Sequence, residues 1–100
     1  MDIAKGLKAI ASQPRLSILQ LLKNPSANFA AQPVGDLATD GVTGTALMKK
    51  LGCTAPTLSE HMGALLEVGF IESKRVSRWV LYKRDEGRIE QFLREFNAAI

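Results

Sequence analysis

The chain is poor in the side chains that most catalysis and metal chemistry require. In 100 residues it has one cysteine, Cys53, and one histidine, His61. A lone cysteine excludes an intrachain disulfide and fits a reducing compartment. One thiol and one imidazole fall short of the ligand sets that soft metals need. No nucleophile–base pair, Gly-rich phosphate loop or paired carboxylates can be read from the sequence, so no catalytic residue and no cofactor is expected. No apolar run approaches the ~20 residues of a membrane span, and the N-terminus lacks the apolar core of a secretion signal. The reading is a soluble cytoplasmic protein without enzymatic activity.

What is present suffices for one domain, expected to span residues 1–100. Hydrophobic residues make up 46% and charged residues 23%, enough for a single core and too structured a balance for a disordered chain. Net charge is +3, and its distribution says more than its size. Residues 1–70 hold six basic and five acidic side chains. Lys74, Arg75, Arg78, Lys83 and Arg84 then follow with no acid among them, and residues 85–100 are net acidic. The excess positive charge sits in one place.

Hydrophobic spacing predicts a short helix over 2–11 from Ile3, Leu7 and Ile10. A second begins after Ser12 with Pro14 in its first turn, is apolar over most of its girth, and stops at Asn24-Pro25. Residues 25–41 form a connector that is long for a link between helices; it reads as a surface insertion or as a ligand or partner surface. Thr43–Leu51 is a short helix closed by Gly52. Thr54 is placed to cap the next helix. There Leu58, Met62, Leu65 and Leu66 form a buried stripe, opposite Ala55, Thr57, Ser59, Glu60 and His61. Phe70–Ser73 and Trp79–Tyr82 read as a hairpin with Arg75–Arg78 near its tip. Ile89, Phe92, Leu93 and Phe96 share one face of a last helix.

Two helices joined by a short Gly-containing turn make a helix-turn-helix signature. Small polar residues near the start of its second helix suit close approach to base edges and phosphates. The expected fold is mainly α with a small β-hairpin, with about five helices and a two-stranded wing. Thr54, Thr57, Ser59 and His61 are the candidate DNA contacts of the helix, against the plainer reading of solvated polar positions. Lys74, Arg75 and Arg78 are candidates for phosphate contact from the wing, which supplies affinity more than sequence choice. Trp79 and Tyr82 are read as packing residues and Cys53 as a structural thiol.

The ordered set LKAIASQPRLSILQLL and LGCTAPTLSEHMGALLEVGFIESKRVSRWVLYKR resembles the ArsR-type winged helix-turn-helix transcriptional repressors of bacteria and archaea, over nearly the whole chain. That resemblance implies a homodimer formed by the first and last helices, with Ile3, Leu7, Ile89, Phe92 and Phe96 as dimerisation candidates. Packing of Phe92 and Phe96 within one chain is the alternative. It also implies double-stranded DNA as partner, with recognition helices in successive major grooves of a near-palindromic operator. Many such proteins sense metals, through a C-x-C pair before the turn or Asp and His on the last helix. Here the first helix of the motif has no cysteine and the last helix no histidine, so neither metal site carries over. An unidentified small-molecule or protein effector would act through the connector, the dimer interface or Cys53. The wing tip Val76-Ser77 lacks the glycine of a tight turn, so a wider loop is expected. The competing reading is a winged-helix protein-interaction module that does not bind DNA.

Overall fold

A computed structural model describes residues 2–100. Its order is α1 (Ile3–Ile10), α2 (Gln13–Lys23), α3 (Pro25–Asn28), β1 (Val42–Thr43), α4 (Gly44–Leu51), α5 (Ala55–Glu67), β2 (Ile71–Val76), β3 (Trp79–Arg84) and α6 (Glu86–Ala99). The mainly helical fold with a wing is as expected. Two elements go beyond the expectation: the single turn α3 at the start of the connector, and β1 at its end. Asn24-Pro25 does stop α2, but Pro25 then opens α3, where a missing N–H costs nothing.

Local chemistry sets the helix starts. Side-chain oxygens of Asp2, Ser12, Thr43 and Asp85 accept from the backbone N–H three residues on, at 3.0–3.4 Å. Thr54 departs from this pattern. It holds the N-cap position of α5 and its carbonyl accepts from Leu58 N at 3.0 Å, but its hydroxyl does not cap the backbone. It donates instead to Thr57 Oγ1 at 3.1 Å.

The sheet has the order β1-β3-β2, antiparallel throughout. Val42 and Thr43 pair with Tyr82 and Leu81. The Gln32 side chain secures this edge: its Nε2 donates to Gly41 O at 2.7 Å, and its Oε1 accepts from Thr43 N at 3.1 Å. Gly41 is obligatory there, since its φ is +107° and a Cβ would lie 2.4 Å from the Tyr82 carbonyl oxygen. The hairpin register Val76↔Trp79 leaves only Ser77-Arg78 in the turn. The expected wide loop is therefore absent. Ser77 takes the positive φ, +55°, that glycine usually supplies.

The core gathers where α2, α4 and α5 meet the sheet. Ile18, Leu47, Met62, Leu65, Val42 and Phe70 are essentially sealed from solvent. Phe70 meets Phe92 edge-on at 5.0 Å, which brings α6 back over the start of the wing. Gly6 lets α1 lie close by, because a Cβ there would be 2.4 Å from the Phe92 ring. α2 is less enclosed than its composition suggests: it buries Ile18, Leu19 and Leu22 but leaves Leu16 38% exposed.

Candidate nucleic-acid interface

α4 ends at Gly52, in the left-handed region at φ +66°, and Cys53 N donates to Met48 O at 3.1 Å. This Schellman-like closure turns the chain sharply into α5. Cys53 is half-buried in that turn and packs against the core. α5 buries Leu58, Met62 and Leu65. Helical spacing puts Pro56, Glu60 and Gly63 on the outward side, with Thr57 and Ser59 at its margins. All five are exposed. In the first turn, the Thr54–Thr57 hydroxyl pair leaves Oγ1 lone pairs and one O–H for an incoming partner.

His61 is placed differently from its neighbours. It is half-buried on the flank of α5, and its Nδ1 accepts from Arg15 Nε on α2 at 3.2 Å. Nδ1 is the acceptor in that bond, which orients the ring and leaves Nε2 as its other nitrogen.

The wing divides its cations by the pleat. Ile71, Ser73 and Arg75 share one face with Val80, Tyr82 and Arg84; Glu72, Lys74 and Val76 share the other with Trp79, Leu81 and Lys83. The first face looks toward the core: Ile71 is buried and the Tyr82 ring lies beside Gly44 of α4. The connector crosses the second in part, over Leu81, and leaves Glu72 and Lys74 exposed. Leu81 is sealed beneath Gly35. The Lys74 ammonium pairs with the Asp40 carboxylate, and Lys83 Nζ donates to Thr39 O at 3.3 Å.

The loop that does this is self-braced. Asp36 Oδ1 accepts from Ala38 N and Thr39 N, while Asp36 N donates to Asp40 Oδ2 at 2.7 Å. Hydrogen bonding from Thr39 holds the Asp36 carboxyl below its ordinary range, and bonding from Lys74 does the same for Asp40.

The five-cation run is therefore not one patch. Lys74 and Lys83 are engaged by the connector. Arg84 has a largely buried guanidinium that donates to Leu19 O at 3.1 Å and pairs with Glu86 at 2.9 Å. Arg75 and Arg78 remain exposed, Arg78 with its guanidinium 5.1 Å from the Trp79 ring centre. Sequence reasoning missed Arg15, Asp40 and Glu86 as partners of site residues. Only Glu86 was within local reach, two positions from Arg84.

The dimerisation candidates also separate. Phe92 is 2% exposed and lies inside the chain's own core, against Phe70. Within one chain Phe92 thus packs as a core residue and offers little surface to a partner. Phe96 stacks on it at 6.0 Å and stays half-buried; Ile3 and Ile89 are half-buried against the core, and Leu7 is 37% exposed. Leu93, 53% exposed, joins Leu16 at a groove between α2 and α6. Among the described residues no group of three or more His, Cys, Asp or Glu side chains converges.

A helix-turn-helix flanked by a strapped β-wing defines a winged helix-turn-helix protein. No protein-family model matches the chain. It is 36% identical over 97 residues to the uncharacterised HTH-type transcriptional regulator YbzH of Bacillus subtilis (strain 168), covering 94% of this chain and 97% of that protein. The chain belongs to the HTH-type transcriptional regulators. Its fold is also similar to the solution NMR structure of the homodimeric winged helix-turn-helix DNA-binding domain (residues 1–100) of Mb0332 from Mycobacterium bovis, a possible ArsR-family transcriptional regulator. That likeness has a TM-score of 0.66 at 24% identity, over 97% of this chain and 77% of the other.

Proposed function

We propose that the protein is an ArsR-type repressor, a homodimer that binds a near-palindromic duplex operator in the cytoplasm. In this reading residues 1–100 act as a single winged helix-turn-helix domain with terminal dimerisation helices. The observation that carries it is the pairing of an exposed, polar start of α5 with two exposed wing arginines. Thr54, Thr57 and Ser59 approach the major groove, and His61 offers its Nε2 to a base or phosphate oxygen. Arg75 and Arg78 grip flanking phosphate. Lys74 is the weakest of the proposed contacts, because Asp40 competes for its ammonium.

The dimer would close over α1 and α6. Leu7 and Phe96 stay in that proposed surface, Leu16 and Leu93 join it, and Ile3 and Ile89 support it from below. Repression needs only that the bound dimer exclude other proteins from the operator. Metal sensing by the two known arrangements is not part of the proposal, since their ligand residues are missing from α4 and α6.

Selection of bound duplexes from a random pool tests the reading directly. It should return a two-fold related motif whose half-sites lie about one helical turn, or a multiple of it, apart. Binding to the selected duplex should fall steeply with salt yet stay well above binding to random duplex. Equal affinity for both duplexes at every salt concentration would reject a specific regulator.

A further inference from the structure

The first half of the connector stands off from α4 and leaves an open groove of about 550 Å³. Its apolar lining includes Phe29, Ala31, Pro33, Ala46 and Trp79, and its charged lining is Lys49 and Lys50, with no acidic side chain among the lining residues. The volume falls within the range of small-ligand sites. The walls are fixed before any ligand arrives. Upstream, Asn28 Nδ2 donates to Leu21 O and Asn24 O at 3.2 and 2.9 Å. Downstream, Gln32 bridges Gly41 O and Thr43 N. The span from Phe29 to Ala31 is strung between these two amide clamps, so filling the groove need not order a loose loop.

The lining selects a chemistry. Two aromatic rings with alanines between them suit a flat apolar body. Both rings already lie near cations: Lys50 Nζ is 5.9 Å from the Phe29 ring centre and the Arg78 guanidinium 5.1 Å from that of Trp79. Two lysines without a lining acid favour a negative group on the ligand. We infer that this groove binds a small planar aromatic carboxylate, its ring against Phe29 and Trp79 and its carboxylate at Lys49 and Lys50. The groove joins α4 to the tip of the wing beside Arg78. Its meaning as an effector site rests on the DNA-binding reading above; the binding itself does not.

Trp79 is the one tryptophan of the chain, so its emission reports on the groove alone. Benzoate titrated into the purified full-length protein, without DNA, should change that emission saturably, with half-saturation on the order of 1 mM for so small a probe. Benzyl alcohol, which keeps the ring and drops the charge, should bind at least tenfold more weakly. The Lys49→Ala/Lys50→Ala pair should lose the response, and so should Ala31→Glu, which adds an acid at an exposed lining position. Circular dichroism would verify that both variants keep the wild-type fold. Benzoate-induced amide shifts should centre on residues 28–33, Thr45, Ala46 and the Trp79 indole. A non-saturating response, equal binding of benzyl alcohol, full binding by the folded lysine variant, or shifts centred on the groove between α2 and α6 would each overturn the site. Because no DNA is present, failure here leaves the regulator reading intact, and failure to bind DNA leaves the groove intact.

Discussion

The two faces of the wing are built from the same short hairpin and do different work. On the face turned toward the helix-turn-helix, Ile71 and Tyr82 pack inward and Arg75 projects beyond them, exposed. On the other face, Leu81 is sealed, and Lys74 and Lys83 are held by Asp40 and Thr39 of the connector. Lys74 and Arg75 are neighbours in the chain with the same charge. The pleat alone sends one to an internal carboxylate and leaves the other available. Charge density along a sequence is therefore a poor guide to which cations a wing can offer; strand parity and the covering segment decide.

Substitution should have its largest effect on the face that the connector crosses. Leu81→Ala should cost about 2–5 kcal/mol, read from denaturant or thermal unfolding, because a sealed leucine is removed from beneath the connector. A cost under about 0.5 kcal/mol, the level of an ordinary surface change, would mean that the connector does not seal the wing.

The next effect concerns DNA. Arg75→Ala with Arg78→Ala should flatten the slope of log affinity against log salt by about 0.9 for each phosphate no longer neutralised, or roughly 4 for two residues in two protomers. Unchanged affinity in that variant would favour the protein-interaction reading. Lys74→Ala should change affinity by less than about threefold, since its ammonium is already paired at the protein surface. An effect equal to that of Arg75→Ala would erase the distinction between the faces.

Acid should sharpen the same contrast. Asp36 and Asp40 both have folded-state carboxyl pKa values below their ordinary value of 3.8. Their contribution is therefore fully present above that value and is lost as pH falls through the lowered folded values. Hydrogen exchange at Thr39 should accelerate in that acid window, ahead of amides in the α5 core. Asp36→Asn should remove most of this acid sensitivity at Thr39, because Asp36 Oδ1 is the acceptor of that amide. The smallest effect is at the tip: Ser77→Gly should stabilise by about 1 kcal/mol, because glycine takes the left-handed conformation without a Cβ penalty.

Much of this architecture was legible because it is local. The stripe of Leu58, Met62 and Leu65 (though not its fourth expected member, Leu66, which is 37% exposed), the Gly52 closure, the cap at Ser12 and the two strands all follow from residues within one or two turns of one another. The site's internal partners were not legible. Arg15 and His61 are 46 residues apart, and Asp40 and Lys74 are 34 apart; no local period connects them. β1 was hidden for a related reason. Two residues carry no alternation, and their pairing depends on Gln32, eleven positions before Thr43. Phe92 shows the limit of reading an apolar stripe. Its spacing revealed a buried face on α6 without revealing whether the cover came from the same chain.

The strap across the outer face of the wing also bears on the kinetics of recognition. A free hairpin of this size would be marginal in water and would have to settle as it met its target. Here the loop bracing and the Leu81 seal have already removed that freedom during folding. In the proposed complex the wing would arrive already folded, so encounters would need no folding step and association could run at the rate set by charge steering and orientation.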